Sequence, residues 1–363
     1  MGFTCPRCNN MSKKFIGLNK EKMYCRKCLK LKGKEVNKSF NIAEGEYTLD
    51  YDLTIEQKKA SEFILNSVIN NHTCALNAVC GAGKTEIIYP VIKYCLHNNK
   101  KVGIAIPRKD VVIELVERIK KDFNVSVLGV YGGNSEIIEA DIIVFTTHQA
   151  YRYNNYFDVL IIDEVDAFPY KDNTTLQNVV KKCSKLFVYL SATMPSYIKK
   201  DRSIKSYYLN RRYHGHRIPV PRYKICFSYL RGLKRILKKY KEKVVLVYFP
   251  TIRIQNKISK KVKHDYLVNS SSENRKDILR QIKAMNKGIV FTTTVLERGI
   301  TIKDVQIIVY NADHKLFDKD TLIQIAGRAG RHKDCYTGDV IFLCKNKTRS
   351  VLRCIRSIKK CNA

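Results

Sequence analysis

Several features are scarce or missing in this sequence. No stretch approaches the roughly 20 consecutive apolar residues that a membrane-spanning helix requires, so we expect a soluble protein. The N-terminus lacks a basic region followed by a long apolar run, which argues against a secretory signal and predicts a protein that stays inside the cell. Acidic side chains are few, at 33 against 67 Lys and Arg. The composition therefore points to a partner that carries negative charge.

The positive charge is concentrated at the two ends of the chain. Residues 1–46 carry 11 basic and 4 acidic side chains, residues 47–210 carry 20 and 18, and residues 211–363 carry 36 and 11. Basic surfaces bind polyanions and release their counterions. Nucleic acid is the leading candidate partner, and anionic lipid or a merely solvated basic face are the alternatives.

Four of the thirteen cysteines have the spacing of a zinc site. Cys5-x2-Cys8 and Cys25-x2-Cys28 form two pairs that are separated by sixteen residues. This pattern is typical of a four-thiolate zinc ribbon. Two short-range disulfides or a redox dithiol are the alternatives, which an intracellular location disfavours because the cytosol keeps thiols reduced. The sequence predicts a small zinc-binding module within residues 1–46, ending in a Lys-rich linker.

The remainder predicts two α/β domains, at residues 47–210 and 211–363. Short apolar runs typical of buried parallel strands alternate with helical patterns such as that of residues 110–121. The first set of predicted strands covers residues 74–79, 102–106, 142–145, 159–162 and 186–190. The second set covers residues 244–249, 266–269, 288–292, 305–310 and 340–343. Alternation of this kind predicts a parallel sheet in each domain, and Pro219 and Pro221 interrupt the pattern near the join, which we expect around residues 205–222.

A phosphate-binding loop follows the first predicted strand. The residues are Cys80, Gly81, Ala82, Gly83, Lys84 and Thr85. Glycines let backbone N–H groups close around phosphates, Lys84 can reach the β and γ oxygens, and the Thr85 hydroxyl can ligate Mg²⁺. Ala78 stands where the general pattern has its first glycine. The strand, loop and helix context predicts an ATP site.

Two carboxylates follow another apolar strand. Asp163 is predicted to hold Mg²⁺, and Glu164 to orient and deprotonate the attacking water. A solvated acidic turn is the alternative if the run is taken alone. The acidic run is not alone, because the motif Ser191-Ala192-Thr193 follows the next strand. The catalytic interpretation is therefore favoured.

The most specific motif of the second half is Gln324-Ile325-Ala326-Gly327-Arg328-Ala329-Gly330-Arg331. Arg328 and Arg331 lie three residues apart, so they share one helical face. They are predicted to supply arginine fingers to the γ-phosphate. The alternative is a helix turn that is only a basic surface feature, and such a turn would not require both glycines.

Taken in order, these motifs resemble those of superfamily 2 DNA helicases across residues 47–345. The resemblance implies two RecA-like domains in tandem and ATP and Mg²⁺ as cofactors, with Zn²⁺ in the cysteine module. More narrowly, the chain resembles late competence proteins of the ComFA type, which are cytosolic ATPases of bacterial DNA uptake. The features are the four-cysteine module, Pro107-Arg108 with Asp110-Val111-Val112, Thr146 to Gln149, Asp163 to Pro169, and Glu297-Arg298-Gly299-Ile300-Thr301. Thr301 stands where most helicases of the superfamily have Asp, which favours the narrower family.

The family resemblance implies further residue roles. Gln57 matches the glutamine that reads adenine, with an exposed polar helix residue as the alternative, and Gln324 is assigned to the ATP site. Residues in two sets of loops match contacts to the nucleic-acid backbone, which track phosphates and tolerate any sequence. These residues are Arg108, Thr147, His148, Thr293, Thr294 and Arg298. The implied partners are single-stranded DNA, a membrane DNA-uptake channel and other competence proteins, at the inner face of the membrane.

Two other functions compete with a DNA translocase. One is a PriA-type helicase of replication restart or repair, which is disfavoured because no wedge or winged-helix extension is visible after residue 345. The other is a DNA-binding scaffold with a vestigial nucleotide site. Intact Lys84, Asp163, Glu164, Arg328 and Arg331 argue against that scaffold.

Overall fold

The chain forms two compact units in a computed structural model. The structure describes residues 3–29, 31, 35–36, 42–293, 302–332 and 334–362, with the backbone alone at 275 and 276. Unit 1 comprises Met1–Ala78 and Gly83–Leu209, and unit 2 comprises Val79–Ala82 and Asn210–Ala363. The division falls within the segment where the sequence pattern is interrupted.

A small antiparallel hairpin carries the N-terminal cysteines. It consists of β1 (Ile16–Asn19) and β2 (Lys22–Cys25), with Ile16 opposite Cys25. Short 3-10 helices flank the hairpin at Lys13–Phe15 and Arg26–Cys28. The hairpin and the second 3-10 helix therefore hold one pair of cysteines in a tight turn.

The rest of unit 1 is built on a seven-stranded parallel sheet in the order β5-β6-β4-β7-β8-β3-β9. The strands are β3 (Cys74–Ala78), β4 (Val102–Ile106), β5 (Val127–Val130), β6 (Ile142–Thr146), β7 (Val159–Asp163), β8 (Leu186–Ser191) and β9 (Lys205–Leu209). The helices are α1 (Ile55–Ile69), α2 (Lys84–Ile87), α3 (Tyr89–His97), α4 (Lys109–Asp122), α5 (Thr174–Lys181) and α6 (Ser196–Lys200), with a 3-10 helix at Thr147–Arg152. Strands β4, β6 and β8 are buried along their whole length, as expected of strands covered on both faces.

Unit 2 contains a six-stranded parallel sheet in the order β10-β15-β14-β11-β13-β12. The strands are β10 (Arg222–Ile225), β11 (Val244–Tyr248), β12 (Tyr266–Val268), β13 (Gly288–Thr292), β14 (Val305–Val309) and β15 (Val340–Cys344). The helices are α7 (Tyr229–Lys239), α8 (Ile252–Ser259), α9 (Arg275–Ala284), α10 (Lys319–Ala326) and α11 (Arg349–Asn362). Helices α7 and α8 pack their apolar residues on the same sheet face.

The predicted fold class is confirmed. All ten predicted strands are present, within about one residue of the expected bounds, and the helical pattern of residues 110–121 corresponds to α4. Strands β5, β9 and β10 of these sheets, and the N-terminal strands β1 and β2, were not predicted. Strands β5, β9 and β10 all lie at sheet edges, and β9 and β10 occupy part of the segment expected to connect the domains.

Candidate nucleotide site, nucleic-acid residues and cysteine cluster

The phosphate-binding loop has the backbone conformation that its glycines permit. Gly81 and Gly83 have φ angles of +83° and +77°, in the left-handed region that residues with a Cβ rarely adopt. Helix α2 begins at Lys84, directly after Gly83. The loop thus turns from the end of β3 into a helix, and its N–H groups and the helix N-terminus form a setting suited to an anion.

Lys84 lies beside the carboxylates that follow β7. Its Nζ is 3.7 Å from Oδ1 of Asp163, and both side chains are about one-fifth exposed. The backbone N–H of Glu164 donates to Asp163 Oδ1 at 2.8 Å, and Glu164 has a φ of +58°. Unit 1 therefore brings together the predicted phosphate-binding lysine and both predicted acidic residues.

Gln57 is buried against the phosphate-binding loop. It forms a capping box at the start of α1, in which its Oε1 accepts from the Thr54 N–H at 2.9 Å and its own N–H donates to Thr54 Oγ1 at 3.3 Å. The remaining amide nitrogen lies so close to Gly83 that a Cβ there would collide with it. The structure therefore rules out the interpretation of Gln57 as an exposed helix residue.

An ionic cluster around the buried side chain of Glu86 supports α2 and was not predicted from the sequence. Glu86 is 3% exposed, pairs with Arg118 of α4 and accepts a hydrogen bond from the Tyr51 hydroxyl at 2.9 Å. Arg118 also reaches Thr85 Oγ1 at 3.5 Å. Burial, reinforced by the charge of Glu86, raises the pKa of Tyr51 to about 12. The cluster fixes the helix turn that carries Lys84 and Thr85.

Two of the sequence motifs of unit 1 are directly connected. The Thr193 hydroxyl donates to Oδ2 of Asp166, and the Thr193 N–H donates to Ser191 Oγ at 2.8 Å. Asp166, Ser191 and Thr193 are all buried. The hydrogen bond between Asp166 and Thr193 therefore joins the turn after β7 to the turn after β8.

The arginine motif of unit 2 forms the C-terminal end of α10 and the turn that follows. Gln324 and Arg328 are buried, at 6% and 4% exposure. Arg331 is partly exposed, and its Nε donates back to the Gly327 carbonyl at 2.8 Å. Gly330 has a φ of +63° and packs against the Tyr336 backbone. The two glycines thus shape a turn that a residue with a larger side chain would distort.

Arg212 is a further residue whose role the sequence did not predict. It is 2% exposed, and its guanidinium donates to the carbonyls of Gly327, Ala329 and Gly330. No metal-like or catalytic spacing surrounds it. The neighbouring Tyr213 and His214 also contact this turn, but no pattern in the sequence shows that the three residues act together.

The predicted nucleic-acid residues differ in exposure. Arg108 is partly exposed at the N-cap of α4, and His148 is exposed at the start of the 3-10 helix after β6. Thr147 is fully buried, so His148 alone of that pair reaches the surface. Thr293 is 7% exposed after β13. Thr294 and Arg298 lie outside the described residues.

The four predicted zinc ligands form one buried cluster. The sulfurs of Cys5, Cys8, Cys25 and Cys28 all lie within 4.8 Å of one another, and none of the four forms a disulfide. The Cys5–Cys28 and Cys8–Cys25 sulfur distances are 3.8 and 3.7 Å. Tetrahedral Zn²⁺ with Zn–S bonds of about 2.3 Å separates its sulfurs by about 3.8 Å. The donor set therefore fits zinc in both chemistry and spacing.

The cysteine module packs on unit 1 beside the 3-10 helix that starts with Thr147. Asn178 of α5 donates to the Cys8 carbonyl at 3.0 Å, and Lys182 bonds to the Pro6 carbonyl. The Val36 N–H donates to the Arg152 carbonyl at 2.9 Å. The module thus belongs to the same packed body as the predicted His148 loop.

Comparisons with known proteins give a family match within each of the two units. The model "Type III restriction enzyme, res subunit" matches residues 50–196, and "Helicase conserved C-terminal domain" matches residues 228–333. Among solved structures, the DEAD-box helicase Mss116 bound to ssRNA and UDP-BeF has a TM-score of 0.62 at 16% identity. The match covers 81% of this chain and 70% of the Mss116 chain. S. cerevisiae Dbp5 bound to RNA and ADP BeF3 has a TM-score of 0.63 at 15% identity, covering 86% and 92%.

These matches define the chain as a superfamily 2 helicase, an ATP-dependent enzyme with two RecA-like domains whose activity requires ATP with a divalent metal ion. Two curated relatives narrow the class. "Competence protein ComFA" of Bacillus subtilis (strain 168) is 34% identical over 99% of this chain and 86% of the relative. "Competence protein ComFA" of Streptococcus pneumoniae is also 34% identical, over 99% of this chain and 90% of the relative. The chain belongs to the ComFA family.

No helix in the described parts of the chain has the length and apolarity needed to cross a membrane.

Proposed function

We propose that this chain is a DNA-dependent ATPase that moves along single-stranded DNA and powers DNA uptake during competence. The observation that carries the proposal is the cluster of Lys84, Asp163 and Glu164 in unit 1, in a chain that belongs to a family named for competence. A scaffold with a vestigial site has no need of these groups. The domain division at residues 47–210 and 211–363 is part of the same proposal.

The nucleotide is proposed to bind against the phosphate-binding loop. The N–H groups of Gly81, Ala82 and Gly83 cradle the phosphates, and Lys84 neutralises the β and γ oxygens. Gln57 lies beside the loop, in reach of an adenine edge. Thr85 and Asp163 are the groups that would hold Mg²⁺. When bound, Mg²⁺ neutralises charge on the β and γ phosphates.

Glu164 is proposed to orient the attacking water and accept its proton. The hydrogen bond from its N–H to Asp163 anchors the backbone at this turn, and the same Asp163 oxygen lies 3.7 Å from Lys84 Nζ. A positioned base of this kind typically contributes 10²- to 10⁴-fold to the rate. The Asp166–Thr193 hydrogen bond is proposed to couple this turn to the Ser191-Ala192-Thr193 motif.

Unit 2 is proposed to supply positive charge for ATP hydrolysis. Arg328 and Arg331 would stabilise the negative charge that develops on the transferred phosphoryl group, and Gln324 would contact the nucleotide. Arg108, His148, Thr293, Thr294 and Arg298 are proposed to follow the DNA backbone. Because Thr147 is buried, we propose that it acts by holding the loop that presents His148.

Cys5, Cys8, Cys25 and Cys28 are proposed to hold one structural Zn²⁺, since their sulfur spacing suits tetrahedral coordination. The resemblance to ComFA proteins supports a cytoplasmic position at the inner face of the membrane. The same resemblance supports a DNA-uptake channel and other competence proteins as partners.

The test is ATP hydrolysis by the purified full chain with no polymer, single-stranded DNA, duplex DNA or RNA. The Glu164→Gln variant is compared with Glu136→Gln, which changes an exposed loop residue in the same way. We expect strong stimulation by single-stranded DNA, lost by about 10²-fold or more in Glu164→Gln and retained in Glu136→Gln.

Absence of stimulation by every polymer would overturn the translocase proposal. Robust strand displacement on blunt duplex would instead favour a PriA-type helicase.

A further inference from the structure

The turn that carries the two arginines of unit 2 is held by a buried arginine outside the motif. We propose that Arg212 is a positioning residue for ATP hydrolysis, which fixes the turn of residues 327–331 and thereby the guanidinium of Arg331. The inference rests on the proposed function, in which Arg331 stabilises the transferred phosphoryl group.

The hydrogen bonds of Arg212 match the needs of this turn. Helix α10 ends at Ala326, and the carbonyls after a helix end lack partners within the helix. Arg212 Nη1 donates to the Ala329 carbonyl at 2.7 Å and to that of Gly330, and Nη2 donates to the Gly327 carbonyl at 3.0 Å. One planar guanidinium thus ties three carbonyls of the turn together.

The next two residues extend the same contact. The Tyr213 hydroxyl donates to the Arg331 carbonyl at 3.0 Å, and Nε2 of His214 lies 3.1 Å from the Gly330 carbonyl. Residues 212–214 therefore follow the turn as a brace. The sequence Arg-Tyr-His has a backbone-binding role here that its local pattern does not indicate.

Arg212 is also linked to Arg331 through a shared acceptor. The Gly327 carbonyl accepts from Arg212 Nη2 at 3.0 Å and from Arg331 Nε at 2.8 Å. Any shift of this carbonyl moves the anchor of the Arg331 side chain. Arg212 thereby acts through Arg331 without contacting the nucleotide itself.

The electrostatics explain why a charged group is kept in a buried site. Among the described residues no carboxylate pairs with Arg212. Its acceptors are three carbonyls near the negative end of α10 and the Cys80 carbonyl, to which Nε donates at 3.1 Å. Burial, together with the charge of Arg331, lowers the pKa of Arg212 to about 10, so it stays protonated at neutral pH.

Lysine cannot replace this group. It is a compact charge without the planar fork that reaches several acceptors at once. Arg212→Lys therefore keeps the charge and removes the geometry. A misplacement of about 1 Å in a catalytic group can cost about 10²-fold in rate. We expect kcat to fall by about 10- to 10²-fold, with a smaller change in the KM for ATP. The substitution affects three bonds to the arginine turn but only one to the phosphate-binding loop, from Nε to the Cys80 carbonyl at 3.1 Å.

The experiment measures steady-state ATP hydrolysis of the full chain with saturating single-stranded DNA. Arg212→Lys is compared with Arg211→Lys, a matched change at the adjacent exposed arginine. Both variants are repeated in an Arg331→Ala background, and thermal unfolding is recorded for each. Because Arg212 acts through Arg331, Arg212→Lys should add no further loss of kcat once Arg331 is removed.

Several results would overturn the assignment. These are wild-type kcat in Arg212→Lys, an equal loss in Arg211→Lys, a multiplicative further loss in the Arg331→Ala background, or a raised KM that tracks a lower unfolding temperature. The failure of the proposed function looks different. In that case DNA does not stimulate ATP hydrolysis by the wild-type protein. The same double-mutant comparison is then made with the rate of ATP hydrolysis measured without DNA. Absence of any turnover would overturn both.

Discussion

The two α/β regions of this chain share a sheet architecture but differ in how they use charge. Residues 47–210 carry 20 basic and 18 acidic side chains, and residues 211–363 carry 36 and 11. In unit 1, charges meet in pairs such as Lys84 with Asp163 and Arg118 with Glu86. In unit 2, helix α7 presents a row of basic side chains and contains no acidic one. The difference shows that acidic side chains nearly balance the basic ones in residues 47–210 but not in residues 211–363.

The exposed row on α7 makes this contrast concrete. Lys234, Arg235 and Lys238 are exposed, and no ion pair reaches them in the part of the chain that the structure describes. Ion pairs on a protein surface reduce the charge available to a partner. Unpaired cations on one helix face are the arrangement from which a polyanion displaces counterions.

The largest effect is expected from the cysteine module, because structural Zn²⁺ contributes about 10–16 kcal/mol to folding of isolated zinc modules. Cys25→Ser should remove about one equivalent of zinc and unfold the module locally, while ATP binding in unit 1 is retained. Metal content and binding of a fluorescent ATP analogue measure the two effects. Cys335→Ser, a partly exposed cysteine of unit 2, is the control. Unchanged metal content in Cys25→Ser would contradict the zinc assignment.

Removing the unpaired cations of α7 should have the next largest effect. The triple change of Lys234, Arg235 and Lys238 to Ala should weaken single-stranded DNA binding and reduce the salt slope of log K by about 2, at 0.7 per phosphate contact. The same triple change at Lys58, Lys59 and Lys200 of unit 1 is the control, since these lysines are also exposed. Binding measured against salt concentration separates the two. An equal loss in both triples would break the comparison between the units.

The smallest effect concerns the brace of the arginine turn. Burial, with the charge of Arg212, holds the pKa of His214 below its ordinary value of about 6.5. Below that pH the unfolded chain takes up the proton before the folded one, so stability is lost as the pH falls. His214→Gln should flatten the fall in unfolding temperature between pH 7.5 and 5.5, by at most about 2 °C. His72→Gln, at an exposed position of unit 1, should leave the curve unchanged.

The interior strands could be predicted closely because burial leaves a mark in the sequence. Strand β4 matches its expected range of 102–106, and all five of its residues are buried. The edge strands β9 and β10 leave no such mark, since most of their side chains are exposed and they are held by backbone pairing with β3 and β15. No apolar periodicity distinguishes such a strand from a loop.

The residues proposed to bind nucleotide and zinc could also be selected from local patterns. A glycine loop, a pair of carboxylates and two CxxC turns each place their chemistry within a few residues of chain. The groups that support them are distant in sequence. Arg118 lies 32 residues from Glu86, and Arg212 lies more than 100 residues from Gly327. An isolated arginine has the same appearance whether it is solvated or buried.

The sequence by itself determined the fold class, the residues with phosphate and thiolate chemistry, and the unequal charge of the two halves. These properties depend on composition, periodicity and short spacing, which act over one element of structure. Only the tertiary structure decided that Gln57 lies against Gly83, that Thr147 is buried, and that Arg212 braces the arginine turn. Those contacts depend on which elements pack together, and packing joins residues whose separation along the chain carries no local signal.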